Sequence, residues 1–425
     1  MKKRALAILM AALTASTMFA VPTFAADYSG EDPQLEKNIK ILTIWAEDND
    51  NGMLLNKICE DYQKNVNPNF TWEYEMVASD NLQQKIATLA ASNDLPDLFA
   101  YEAGAPLSVL IDSGKVKNIT EAVDEIGTAD YLNSGAVELL KGLSGTDDLY
   151  DLPLGLNVEG FWYNKALFEQ AGCEVPTTWD ELKAACEALK AYDDSIYPWG
   201  IDMTTDEGQA AFAYYTWNNG GGFVDDEGNW TLNSEQNVEA IQYAIDLVNS
   251  GYTNTDPAND TRYDLQDMFG AGKVAMLIAP NSLPTYIATG GNEVNYGVAS
   301  IPSNTGESVS AGVMDRFMCF DNDYSDDEKA AISTFFDYFY DDARYTEWVD
   351  MEGFLPATKS GGEALAAANE DMASWIDILD SCKFYPTAKA EWADVKQGVI
   401  NVEQNALLGG DVQELLDDLQ AEIAG

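Results

Sequence analysis

Between Ile39 and Tyr101 the chain alternates strand and helix patterns with little between them, and this alternation constrains the fold more than any other feature. Ile39-Lys40-Ile41-Leu42-Thr43-Ile44-Trp45 is an apolar run of strand length. Leu54, Leu55, Ile58 and Tyr62 follow at helical spacing. Asn67-Pro68-Asn69 breaks that helix, and Phe70, Trp72, Tyr74 and Met76 then alternate with the period of a strand. Leu82, Ile86, Leu89 and Ala90 share one helical face, and Asp97-Leu98-Phe99-Ala100-Tyr101 is a short third strand. Strands joined through helices run parallel with right-handed crossovers, so the N-terminal part is an α/β sheet.

The pattern changes at Asp151. Asp151 to Asn157 is extended and punctuated by Pro153 and Gly155, and Gly160-Phe161-Trp162-Tyr163-Asn164 is an apolar aromatic run. A crossing between two lobes is expected near 153–157. Thr178 to Ala191 reads as a helix, with Thr178 as N-cap and Glu181 completing a capping box. Val238 to Val248 is a second amphipathic helix, and Val274 to Ile278 a buried strand. Tyr296 to Pro302 ends in a second crossing near 301–303, and a third is expected near 350. Helices follow at about 326–350, 361–380, 386–408 and 411–423. No repeat of 20–50 residues is evident. Two α/β lobes joined by extended crossings imply a cleft between them.

The first 25 residues stand apart from this fold. Lys2, Lys3 and Arg4 precede an apolar stretch from Ala5 to Val21, and Thr23-Phe24-Ala25 supplies small residues for a cut after Ala25. This is the pattern of a secretory signal peptide. The apolar stretch is shorter than the roughly 20 residues that span a bilayer. The first cysteine is Cys59, so the cut offers no thiol for lipid attachment. A soluble protein in a periplasm, a wall space or the medium is expected, with no membrane insertion.

Composition narrows the chemistry. With 72 acidic against 23 basic residues the formal charge is −49, which repels nucleic acid and anionic lipid. Histidine is absent, which excludes a His general base and His metal ligands. The five cysteines form no Cys-x-x-Cys pair. A Cys173–Cys186 disulfide and a set of free thiols both fit. Asp48-Asn49-Asp50-Asn51-Gly52 looks like a calcium loop, but counting from Glu47 its twelfth position is Ile58 rather than a bidentate Glu, and a metal site is rejected. Carboxylates remain as acid–base groups, so a glycoside-acting enzyme using Glu47 and Glu102 is the rival reading.

Several stretches then carry a family resemblance. Asp147-Asp148-Leu149-Tyr150-Asp151-Leu152-Pro153, Trp162-Tyr163-Asn164-Lys165 through Gly172, and Pro176-Thr177-Thr178-Trp179-Asp180-Glu181-Leu182 resemble the central signature of bacterial extracellular solute-binding proteins of sugar importers. Leu95-Pro96-Asp97-Leu98-Phe99, Phe269-Gly270-Ala271-Gly272-Lys273-Val274-Ala275-Met276 and Gly353-Phe354-Leu355-Pro356-Ala357 resemble further family segments in order. The resemblance implies a two-lobe, Venus-flytrap α/β fold with a mixed, mostly parallel sheet in each lobe and a helical C-terminal part. The divisions are 1–25 signal peptide, 26–38 flexible arm, 39–153 plus 303–349 N-lobe, and 154–302 plus 350–425 C-lobe. It implies a monomeric, non-catalytic receptor without a cofactor, whose partners are a sugar or oligosaccharide and the transmembrane subunits of an ABC permease. A binding protein for a non-sugar, cationic solute is the further alternative.

By the same resemblance, ligand contacts come from loops facing the cleft. These nominate Trp45, Glu47 and Asn49 after the first strand, Tyr101 and Glu102 after the third, and Asn157 at the first crossing. In the second lobe they nominate Tyr214 and Trp217, then Asn281, Met314, Asp315, Arg316 and Phe354. A maltodextrin-binding member has Gly-Pro-Trp where this chain reads Ala279-Pro280-Asn281. An amide thus replaces a stacking ring. Aromatic faces suit the C–H face of a sugar, and Asp, Glu, Asn and Arg suit its hydroxyl rim.

Overall fold

The structure is a computed structural model that describes residues 35–424 apart from 102–110, 112–113, 117, 121–131, 133, 145, 206, 320–323, 369–374, 376–377, 379–380 and 388. The leader expected over 1–25, the cut expected after Ala25 and most of the arm expected over 26–38 lie outside the described residues. Among those described are nine strands: β1 (Lys37–Thr43), β2 (Phe70–Met76), β3 (Leu98–Tyr101), β4 (Asp151–Asn164), β5 (Tyr197–Gly200), β6 (Val274–Pro280), β7 (Tyr296–Ala299), β8 (Ser310–Cys319) and β9 (Cys382–Lys383). They connect in the order β2-β1-β3-β8-β4-β6-β5, with β7 also on β4 and β9 on β8.

The alternation read from the sequence gives what it should. β1 pairs in parallel with both β2 and β3, with helices Asp50–Asn65 and Ser79–Ser92 between them. The first of these helices buries Leu54, Leu55, Ile58, Cys59 and Tyr62, and Tyr62 packs edge-on against Phe70 at 4.8 Å, with Tyr338 at 5.0 Å and Phe335 at 5.5 Å. The helix Trp179–Tyr192 starts with the Thr178–Glu181 capping box. Cys173 and Cys186 are free thiols.

β4 is the element that joins the two lobes. Its first half, Asp151 to Val158, pairs antiparallel with β8; its second half, Glu159 to Asn164, pairs antiparallel with β6 and β7. One uninterrupted strand thus belongs to two sheets. β3 also runs against β8, so β3 and β4 point the same way. β6 runs against β4, and β5 is parallel to β6. The carboxyl ends of β1 and β3 therefore point along β4 toward the second lobe, while those of β5 and β6 point back toward the first.

Four placements differ from the sequence reading. Lys37 and Asn38, placed in the flexible arm, belong to β1: the buried Lys37 ammonium lies 3.3 Å from Asp97 and 3.4 Å from Glu328, over the Tyr324 ring. The return crossing lies at about Gly312 in β8 rather than at 301–303. Ser303 is still held to the second lobe through the Thr177 and Asn218 carbonyls. The helix expected from 386 starts at Trp392, and that expected over 326–350 is broken into Asp326–Phe339 and Asp342–Glu352.

Arg316 and Met314, nominated as ligand contacts, lie inside the β4–β8 ladder. Met314 is fully buried, and Arg316 Nη1 donates to Asp151 Oδ2 at 2.8 Å, with both side chains shielded from solvent. A buried ion pair of this kind is costly to break from one side. Arg316→Met is expected to lower stability by about 3–5 kcal/mol in urea unfolding, because it strands the Asp151 carboxylate, whereas Arg316→Met with Asp151→Leu recovers most of that loss.

Candidate functional site

Both lobes turn the carboxyl ends of their parallel strands toward the middle of β4, the place where open α/β sheets hold ligands. On the N-lobe side the loop after β1 carries three nominated residues. Trp45 packs its ring edge-on against Trp348 at 5.6 Å, and its carbonyl accepts the Tyr74 hydroxyl at 2.9 Å. It is a buried wall rather than an open platform, because Trp348 comes from a helix nearly three hundred residues away. Asn49 uses its Oδ1 to cap the helix Asp50–Asn65, accepting the Gly52 N–H at 2.8 Å. Glu47 is exposed beside it. Tyr101 ends β3 opposite Arg316, and Glu102 lies outside the described residues.

On the C-lobe side a cavity of about 30 Å³ opens beyond the end of β5, large enough for about two waters. Trp199, Asp202, Glu207, Tyr214, Arg262 and Ile278 are among its walls. Each arrives for a local reason. Asp202 follows β5, and its Oδ1 accepts the Thr204 N–H at 2.8 Å. Glu207 precedes the helix Gly208–Trp217, which carries Tyr214 nearly two turns on. Arg262 opens the helix Arg262–Gly270, whose start is fixed by a Thr261–Asp264 capping box. Arg262 Nε donates to Glu207 Oε2 at 2.8 Å, and its guanidinium lies over the Tyr263 ring at 4.5 Å.

Glu159 stands behind this pair on β4, opposite Pro280. Burial pushes its carboxyl up to about 8; Arg262 and a hydrogen bond with Tyr214 pull it down, while Glu207 pushes it up. Asp202 is raised as well, chiefly by desolvation. The pocket therefore combines one guanidinium, several carboxyls, a phenol and an indole: a directional array against an aromatic wall.

Between the two half-sites lies the crossing itself. Asn157 sits opposite Val313, with a buried Oδ1. Asn281 is not aimed at a ligand. Its Oδ1 accepts the Val158 N–H at 2.7 Å, its own N–H donates to the Val158 carbonyl at 2.9 Å, and its Nδ2 donates to the Gly353 carbonyl at 2.6 Å. It joins β4, the end of β6 and the third crossing, where Leu156 and Leu355 exchange backbone hydrogen bonds at 2.9 and 2.8 Å. An amide does this where an indole could not, since it supplies both a donor and an acceptor.

The other nominated residues divide. Tyr214 lines the cavity. Trp217, at the far end of the same helix, is buried against Phe223 and Tyr385 and is a core residue. Asp315 is nearly buried beside Gly155, and Phe354 is half-buried at the third crossing. Sequence reasoning missed Glu159, Asp202, Glu207 and Arg262. A usable signal existed: Glu159 interrupts an apolar run, and Arg262 is one of only four arginines in the chain.

Two facing α/β half-sites joined by crossing strands define a two-lobe binding protein, and no described helix is long and apolar enough to cross a membrane. Residues 46–343 match the model of the bacterial extracellular solute-binding proteins, and the chain belongs to that family. A putative binding protein of Brucella abortus is 28% identical over 360 residues, covering 84% of this chain and 85% of its own. The sn-glycerol-3-phosphate-binding periplasmic protein of Brucella melitensis is 22% identical over 402 residues, covering 87% and 88%. The crystal structure of a sugar transporter from Arthrobacter chlorophenolicus with bound laminaribiose has a TM-score of 0.72 at 22% identity, covering 91% of this chain and 99% of that one.

Two outcomes are expected from these contacts. Asn281→Ala leaves buried groups of Val158 and Gly353 unpaired and should lower the unfolding free energy by about 1–3 kcal/mol in urea titrations. Glu159, raised in the folded state, contributes stability that is full below its ordinary value near 4.5 and is lost as pH rises through about 8. Glu159→Gln should therefore flatten the fall in thermal midpoint between pH 5 and 9, seen by calorimetry as a variant that gains on the wild type as pH rises.

Proposed function

We propose that this chain is the extracytoplasmic receptor of an ABC importer, and that it captures a sugar, in particular an oligosaccharide, between its lobes and delivers it to the permease. The observation that carries this reading is the C-lobe pocket at the strand ends facing the N-lobe. Its Tyr214 suits the apolar face of a sugar ring, and Glu207, Arg262 and Asp202 suit its hydroxyls. Glu47 and Asn157 are the polar groups of the opposite wall and the crossing in this reading. The family and the sugar-bound neighbour support it.

The two lobes close by bending at the three crossings around Leu156, Gly312 and Leu355. The protein is exported, acts as a monomer and is not an enzyme. Its Glu47 is a surface carboxylate, and the acids of the C-lobe pocket are engaged with Arg262 and Tyr214 rather than held apart across a reacting bond.

Titration calorimetry against a panel of neutral mono- and oligosaccharides should give one-to-one binding to at least one, with no product on chromatography after prolonged incubation. Tyr214→Ala should weaken that binding roughly tenfold, the effect of losing one aromatic contact of about 1.4 kcal/mol. Silence across the whole panel removes the sugar reading. Release of shortened saccharides replaces the receptor with a glycoside-acting enzyme.

A further inference from the structure

Arg262 is the one basic residue in the described wall of the C-lobe pocket, and its charge is already neutralised. Its Nε donates to Glu207 Oε2 at 2.8 Å, and one Nη donates to the Tyr263 hydroxyl at 3.3 Å. The guanidinium also lies over the Tyr263 ring, 4.5 Å from its centre. Glu159 and Asp202 bring further carboxyl groups within electrostatic reach of the pair. Glu207 is not locked in the core: its side chain keeps about a third of its surface, and that of Arg262 about a quarter.

These facts treat two classes of solute differently. A phosphate or carboxylate entering the pocket meets a guanidinium whose Nε already donates to the Glu207 carboxylate, so it must sit against that negative charge. A hydroxyl meets no such opposition. It can donate to Glu207 and accept from the guanidinium hydrogens that remain, which lets a pair of neighbouring hydroxyls bridge the ion pair.

We propose that Glu207 is a specificity residue: by holding Arg262 it admits neutral, hydroxyl-bearing solutes to the pocket and turns away phosphorylated or carboxylated ones. This rests on the reading of the pocket as one wall of the ligand cleft.

The test compares wild type and Glu207→Gln by titration calorimetry with the neutral saccharide panel, sn-glycerol 3-phosphate and galacturonate. Glutamine keeps the shape of glutamate at a partly exposed position, and circular dichroism checks the fold. Wild type should bind neither anion. Glu207→Gln should bind at least one of them with an affinity roughly tenfold or more above wild type, and adding Arg262→Gln should abolish the gain. Wild type binding either anion as tightly as its best neutral saccharide overturns the proposal, as does a folded Glu207→Gln that gains neither. If no neutral saccharide binds the wild type, the sugar reading falls, yet the anion gain of Glu207→Gln over wild type still decides the role of Glu207.

Discussion

The antiparallel ladder between β4 and β8 is the constraint on which the rest depends. It sets β4 in the direction of β3 and carries it out of the first sheet into a second, where β5 and β6 must run against it. From that single reversal the carboxyl ends of both sheets face each other. The buried Asp151–Arg316 pair clamps the ladder at its start, and Asn281 stitches it at the point of crossing. Neither interaction touches a ligand in this account. Both fix the distance and direction at which the two half-sites meet, which makes them as important to recognition as the pocket walls.

The chemistry of the C-lobe pocket follows from burying charge in a strongly acidic protein. Desolvation favours the neutral form of Glu159, and Arg262 is divided between Glu207 and the face of Tyr263. The result is polar without a strong net field. Such a surface discriminates by hydrogen-bond direction more than by charge, which is what a polyhydroxylated solute demands.

Elements governed by nearest neighbours were legible in the sequence. The β1-to-β3 alternation, the Thr178–Glu181 capping box and the apolar Val274–Ile278 strand depend on periodicity and capping within a few residues, and the structure contains each. The later crossing was not. Pro302 ends a strand, but the turn after it stays with the second lobe through Asn218, which is 85 positions away from Ser303. Burial was equally opaque. Trp45, Trp217, Met314 and Arg316 have the residue types of a binding site, and they are buried by Trp348, by Phe223 and Tyr385, and by partners across the β4–β8 ladder. Tyr214 was legible because its aromatic segment is conspicuous. Glu207 was not, because 72 acids leave any one of them inconspicuous, and only topology brings it to Arg262.

Recognition of this kind requires that one solute be held by both lobes at once. Hydrogen–deuterium exchange with and without a binding saccharide tests it most directly, because it reports on each lobe separately. Saturation should slow exchange together in the loop after β1, residues 44–53, and in the C-lobe segment 199–217, with slowing at the crossing around 156–158. Protection confined to one lobe, with the other segment unchanged, would contradict it.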